Sequence, residues 1–171
     1  MKKEEEQFEL KKLSPEAIPQ ALERAERYRL LNEPLQAESI CLDVIAIDPE
    51  NQQALVVLLL SLSEQFGENI TEKLDRAWSI LPKLRDQYQQ AYYQGILLER
   101  QARHYMRSDA PGSNFSAYDL FQEAMRLYEK AERLRPPGND EALLRWNTCA
   151  RTITRAKLEP RPLDDFRPML E

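Results

Sequence analysis

Histidine is almost missing from this chain: His104 is the only one in 171 residues. That argues against a histidine-rich metal site or an HExxH pair, and it leaves any nucleophile short of an imidazole base. Glycine is scarce too, at Gly67, Gly95, Gly112 and Gly138. No P-loop, GxGxxG or GxSxG occurs. The two cysteines, Cys41 and Cys149, stand outside any paired motif. They read as small apolar side chains in a reducing compartment. The most apolar run, ALVVLLLSL from Ala54 to Leu62, is far short of the about 20 residues that cross a bilayer. The N-terminal stretch MKKEEEQFELKKLS is charged and has no apolar segment, which predicts no signal peptide. Together these absences predict a cytoplasmic protein that is not an enzyme, holds no metal or cofactor and has no membrane partner.

What is present is a good core and a highly charged surface. The chain is 42% hydrophobic and 31% charged, with Lys+Arg 24 against Asp+Glu 29 and a formal net charge of −5. An acidic total disfavours a nucleic-acid partner. Arg100, Arg103 and Arg107 fall at helical spacing around His104 and form a basic candidate surface. Cations near a helix C-terminus also complement its dipole, so this spacing has a structural explanation as well.

Periodicity predicts helices throughout and no strand. The first runs from Pro15 or Pro19 to Leu31, opened by Ser14-Pro15. The second, capped by Asn32 with Pro34 in its first turn, runs to Ile47 and stops at Asp48-Pro49. The third runs from Gln52 to Phe66, with Gly67 as its terminating glycine. The fourth opens at Asn69 or Thr71 and ends or kinks at Pro82. The fifth covers Gln87 to Arg107. The sixth is capped by Ser116, with Asp119 completing a capping box, and reaches Leu134. Asn139 caps the seventh, which extends to about Leu158.

Two stretches align: Ala37-x3-Cys41-x2-Val44-x4-Pro49 and Ala124-x3-Tyr128-x2-Ala131-x4-Pro136. Each puts a small, a larger and another small or β-branched residue on one helix face, closed by proline. Ala91-x3-Gly95-x2-Leu98 supplies a matching preceding helix, as do the trios Ala21, Ala25, Tyr28 and Leu55, Leu59, Leu62. Glycine inside a helix costs about 1 kcal/mol, and close approach of a neighbouring helix backbone would explain Gly95. These patterns resemble the tetratricopeptide repeat (TPR) family, whose unit is a helix pair of about 34 residues.

The resemblance implies an all-α fold of about seven helices, antiparallel pairs stacked as a short right-handed superhelix. It divides the chain into an N-terminal extension 1–13, a repeat domain 14–158 and a Pro-rich tail 159–171. Within the domain, the units fall at about 18–51, 52–87 and 88–138, followed by a closing helix 139–158. Unit two departs from the pattern, with Leu74-x3-Trp78-x2-Leu81 standing in for the second helix. Unit three is too long by about two turns on each helix, which predicts an elongated hairpin. Pro136-Pro137-Gly138 is then a joint between stacked units. A plain helical bundle without a superhelix is the alternative architecture.

By the same resemblance, the first helices of the units line a groove that holds a peptide or helix of another protein. The matching positions are Leu22, Glu26 and Arg29; Gln53, Val56, Leu60 and Ser63; Gln89, Tyr92, Ile96 and Glu99; and Leu143, Asn147 and Arg151. Leu22, Glu26 and Val57 stand where relatives that clamp a chaperone's C-terminal carboxylate need cations and amides, so no such binding is expected. The function implied is that of an adaptor or scaffold with a partly apolar groove. The alternative is a self-assembling structural protein that makes homo-oligomers through the hairpin 88–135 or the tail.

Overall fold

A computed structural model of the protein describes residues 8–67 and 69–163. Among them are seven α-helices and no strand: α1 Ile18–Leu30, α2 Pro34–Ile47, α3 Gln52–Ser63, α4 Ile70–Ile80, α5 Gln87–Met106, α6 Ser113–Leu134 and α7 Glu141–Ala156. The all-α expectation holds. No helix among the described residues is long and apolar enough to cross a membrane.

Local chemistry sets most of the ends. Pro15 opens a 3₁₀ turn ahead of α1, and Pro19 and Pro34 sit in first turns, where a missing N–H costs nothing. Asn51 caps α3, its Oδ1 accepting from the Ala54 amide at 3.0 Å. Asp86 caps α5 through the Tyr88 amide at 2.9 Å. Pro82 stops α4, and the chain tightens into a 3₁₀ turn over Leu81–Lys83.

Several caps differ from expectation. Asn32 does not cap α2: it adopts a left-handed φ of 59° and closes the α1 end through its backbone, which asparagine tolerates. Gly67 does not terminate α3, which ends four residues earlier at Ser63. Ser116 lies inside α6, because Gly112 at φ 79° turns the chain and the helix begins at Ser113. Asn139 bonds the first amide of α7, that of Glu141, at 3.1 Å, but the cap position itself is Asp140. Helix α7 stops at Ala156: Lys157 turns left-handed at φ 51°, and the Leu158 amide closes back on the Ile153 carbonyl at 3.0 Å. That closure tucks the Leu158 side chain into the core.

Short connections make each helix return beside its predecessor. α1 packs on α2, α2 on α3, α3 on α4, α5 on α6 and α6 on α7, and α1 also touches α3. With 20 and 22 residues, α5 and α6 form the expected elongated hairpin. The core is layered to match. One layer lies among α1–α4 and is joined by Leu97 of α5, and another lies among α5–α7. Leu60, Trp78 and Tyr93 pack against both and weld them together. A smaller layer holds Leu22, Val44 and Ala54 under Leu13 and Ile18. Ala37, Cys41, Val44, Ala124, Tyr128 and Ala131, the residues that carry the sequence repeat, are all fully buried.

Candidate functional site

The side chains that run from helix to helix form a row of alternating charge. On α1, Glu26 accepts from Gln53 of α3 at 3.1 Å, and Arg29 donates to Glu64, just past α3, at 3.1 Å. Glu64 also meets Arg100 of α5 at 3.4 Å. Arg100 donates to the Leu60 carbonyl at 3.0 Å and to the Ser63 hydroxyl. One turn of chemistry further, Glu99 holds Arg145 of α7 at 3.3 Å and Arg103 at 3.0 Å. The row therefore joins α1, α3, α5 and α7. Its arginines keep 20% to 37% of their side chains in solvent, where surface pairs contribute little on their own. Tyr93 packs nearby, and burial pushes its phenol up to about 12, so it stays neutral.

Glu99 is the exception, at 1% exposure. A buried carboxylate must be fully partnered. Its Oε2 accepts from the Tyr128 hydroxyl at 2.6 Å, and Oε1 from the two arginines. Burial and the Glu99 charge both drive the Tyr128 phenol upward, which keeps it a proton donor. A second buried carboxylate, Glu38 on α2, accepts from Gln65 at 2.7 Å and Lys73 at 3.0 Å and pairs with Arg76 at 2.7 Å. Burial alone would raise its pKa, but the bonds from Gln65, Lys73 and Arg76 outweigh it and hold the group below its ordinary value of 4.5. A depressed folded-state pKa contributes stability above the unfolded value, and that stability is lost as pH falls through the folded one. Thermal melts from pH 7 downward should therefore show an acid loss that is shallower in Glu38→Gln, with that variant the less stable of the two at pH 7. Equal slopes for both proteins would remove Glu38 from the account.

The groove residues expected from the sequence divide. Leu22, Tyr92, Ile96 and Glu99 are buried, so a partner cannot touch them while the helices stay packed. Val56 and Leu60 are half-buried against the core, as are Leu143 and Asn147 in exposure. Glu26 and Arg151 are exposed, and Arg29 is half-exposed. The accessible face is thus more polar than the sequence implied. Arg145 of α7 turns inward to Glu99. Arg100 and Arg103 are spent on Glu64 and Glu99, so the expected basic surface is largely neutralised. The sequence reading passed over Glu64 because it lies beyond the last turn of α3, and only the tertiary approach of α1 and α5 gives it a role.

Cys41 and Cys149 are free, buried in different core layers, and burial pushes both thiols up to about 12. They are poor nucleophiles at neutral pH. The described residues contain no cluster of three or more His, Cys, Asp or Glu able to hold a metal. Comparison with known proteins adds no relative to this geometry: no family model, no curated protein and no solved structure matches the chain.

Proposed function

We propose that the protein is a TPR-like adaptor that holds a peptide or amphipathic helix of another protein across α1, α3, α5 and α7. The observation that carries this reading is the set of side-chain links between those helices: Glu26 with Gln53, Arg29 and Arg100 with Glu64 just past α3, and Arg145 with Glu99. Links between the first helices of successive pairs support a repeat-like stacking. Burial of the aligned repeat positions in α2 and α6 supports the same reading. The row offers donors and acceptors of both signs, with Leu60 and Tyr93 as apolar ground between them. The matching ligand is a segment with charges of both signs flanking apolar anchors.

Arg29→Glu/Gln53→Glu places new negative charges opposite Glu64 and Glu26 without opening the core. The expected result is an affinity capture from native lysate in which proteins held by the wild type drop by at least about tenfold, a change worth about 1.4 kcal/mol. The variant should melt at an unchanged temperature. The same proteins retained equally by the folded variant would move partner binding off this face.

A further inference from the structure

The exposed apolar surface is concentrated at one end of the molecule. Among the described residues, six of the nine exposed large hydrophobic side chains, Phe8, Leu10, Leu30, Leu31, Leu35 and Leu42, lie on or before the α1/α2 hairpin. Two cavities open on this hairpin and share Arg24. One, of about 400 Å³, is lined by Arg24, Arg27, Tyr28 and Leu31. The other, of about 230 Å³, joins Gln20 and Arg24 of α1 to Ile40 and Asp43 of α2. On another side of the hairpin, α3 packs on α2 and touches α1. Arg24 and Arg27 make no ion pair among the described residues, although Glu23 and Glu26 adjoin them in sequence. The surface therefore combines two free cations with an aromatic ring and a leucine, in a chain of formal charge −5.

The chain's own sequence contains the complement. Residues 163–166 read Leu-Asp-Asp-Phe, and Met169 and Leu170 follow. Paired carboxylates between apolar side chains match paired arginines that line one cavity with Tyr28 and Leu31. Leu163, the last described residue, is 89% exposed. It follows α7, which packs on α6, whereas α1 packs on α2 and α3. The two surfaces thus belong to opposite ends of the helix order.

We propose that the α1/α2 face is a docking site for residues 163–171 of a second copy of this chain. Asp164 and Asp165 meet Arg24 and Arg27, and Phe166 enters the Tyr28/Leu31 cavity. A contact between different surfaces of identical chains is head-to-tail, so it does not close at two copies unless the rotation allows it. The proposal is independent of the groove function: it uses another surface and predicts self-association rather than capture of a different protein.

Sedimentation velocity of the full chain over a concentration series tests it. The wild type should show a mass that rises with concentration and falls with added salt. Arg24→Asp/Arg27→Asp should weaken association at least about tenfold, since like charges at a contact cost several kcal/mol. Asp164→Arg/Asp165→Arg should do the same. Combining the two reversals should restore the wild-type behaviour, because the pairs re-form with signs exchanged. Arg24 and Arg27 are exposed, and unchanged melts of every variant will show that folding is intact. The proposal is overturned by a wild type that stays monomeric, by association that ignores either reversal, or by a combined variant that is not restored.

Discussion

Tyr128→Ala is expected to cost about 3–5 kcal/mol, the range for deleting a large buried aromatic side chain. Tyr128 is fully buried in the layer between α5 and α6, and its ring stands 6.0 Å from that of Tyr92. Truncation removes apolar contacts and opens a cavity the helices cannot fill by collapse. It also takes away the hydroxyl that satisfies Glu99 Oε2 at 2.6 Å, leaving a buried carboxylate oxygen unpaired. In a chain of this size the melting temperature should fall by about 6–20 °C. Tyr128→Phe isolates the second effect, with an expected loss of about 1.5–3 kcal/mol for a hydrogen bond to a charged group. A Phe variant as stable as the wild type, measured by chemical denaturation, would mean that water or the arginines already satisfy Glu99. Within a Glu99→Gln background the Phe substitution should cost less, and the difference is the coupling of the pair.

The second large effect is at Gly95. A Cβ built there would lie 2.6 Å from Cε1 and 2.9 Å from Cδ1 of Tyr128. Alanine should gain about 1 kcal/mol over glycine in a helix interior. Here the ring it would strike is held on all sides and by its hydroxyl, so it cannot swing aside. Overpacking costs about 1–3 kcal/mol, and more when backbone must move. Gly95→Ala should therefore be destabilising on balance, and Gly95→Val clearly more so, lowering the melting temperature by several degrees. The decisive check is the sign in a Tyr128→Ala background. With the ring gone the added methyl enters free space, and Gly95→Ala should become stabilising. A Gly95→Ala protein that is more stable than wild type with Tyr128 in place would show that α5 and α6 have room to separate.

Gly95 also shows how far the sequence could be read. A glycine in the middle of a long helical pattern signals close approach, and the repeat spacing independently marks Tyr128 as a core position. The sequence pointed to a backbone as the neighbour, whereas the neighbour is the Tyr128 ring. The two residues are 33 positions apart, and only the register of α5 against α6 brings them together. Caps show the same boundary. Asn51 and Asp86 are local devices that bond their own helices. Asn32 and Ser116 had equally good local chemistry, yet the chain placed its turns elsewhere, through left-handed Asn32 and Gly112. Several residues in a short window can serve as the cap, and packing of the flanking helices selects among them.

The candidate site was legible in outline and not in lining. Spacing brought attention to the first helix of each pair, and Arg29, Glu26 and Gln53 do lie on the accessible row. Leu22, Tyr92 and Ile96 share that spacing but point into the core. Around Tyr92 and Ile96, every position from Ala91 to Leu98 except Gln94 is apolar, aromatic or glycine, so no periodic contrast tells an inner stripe from an outer one. Glu99 could not be identified as buried, because its three partners come from α5, α6 and α7.

By itself the sequence determined that the chain is helical and where prolines interrupt it. These follow from backbone sterics and 3.6-residue periodicity, which act within a few turns. Tertiary structure alone decided which polar groups are buried, which arginines are spent on internal pairs, and that the α1/α2 end keeps its leucines and two cations exposed. Those outcomes depend on distances between residues far apart in the chain, and such distances exist only once the helices have chosen their neighbours.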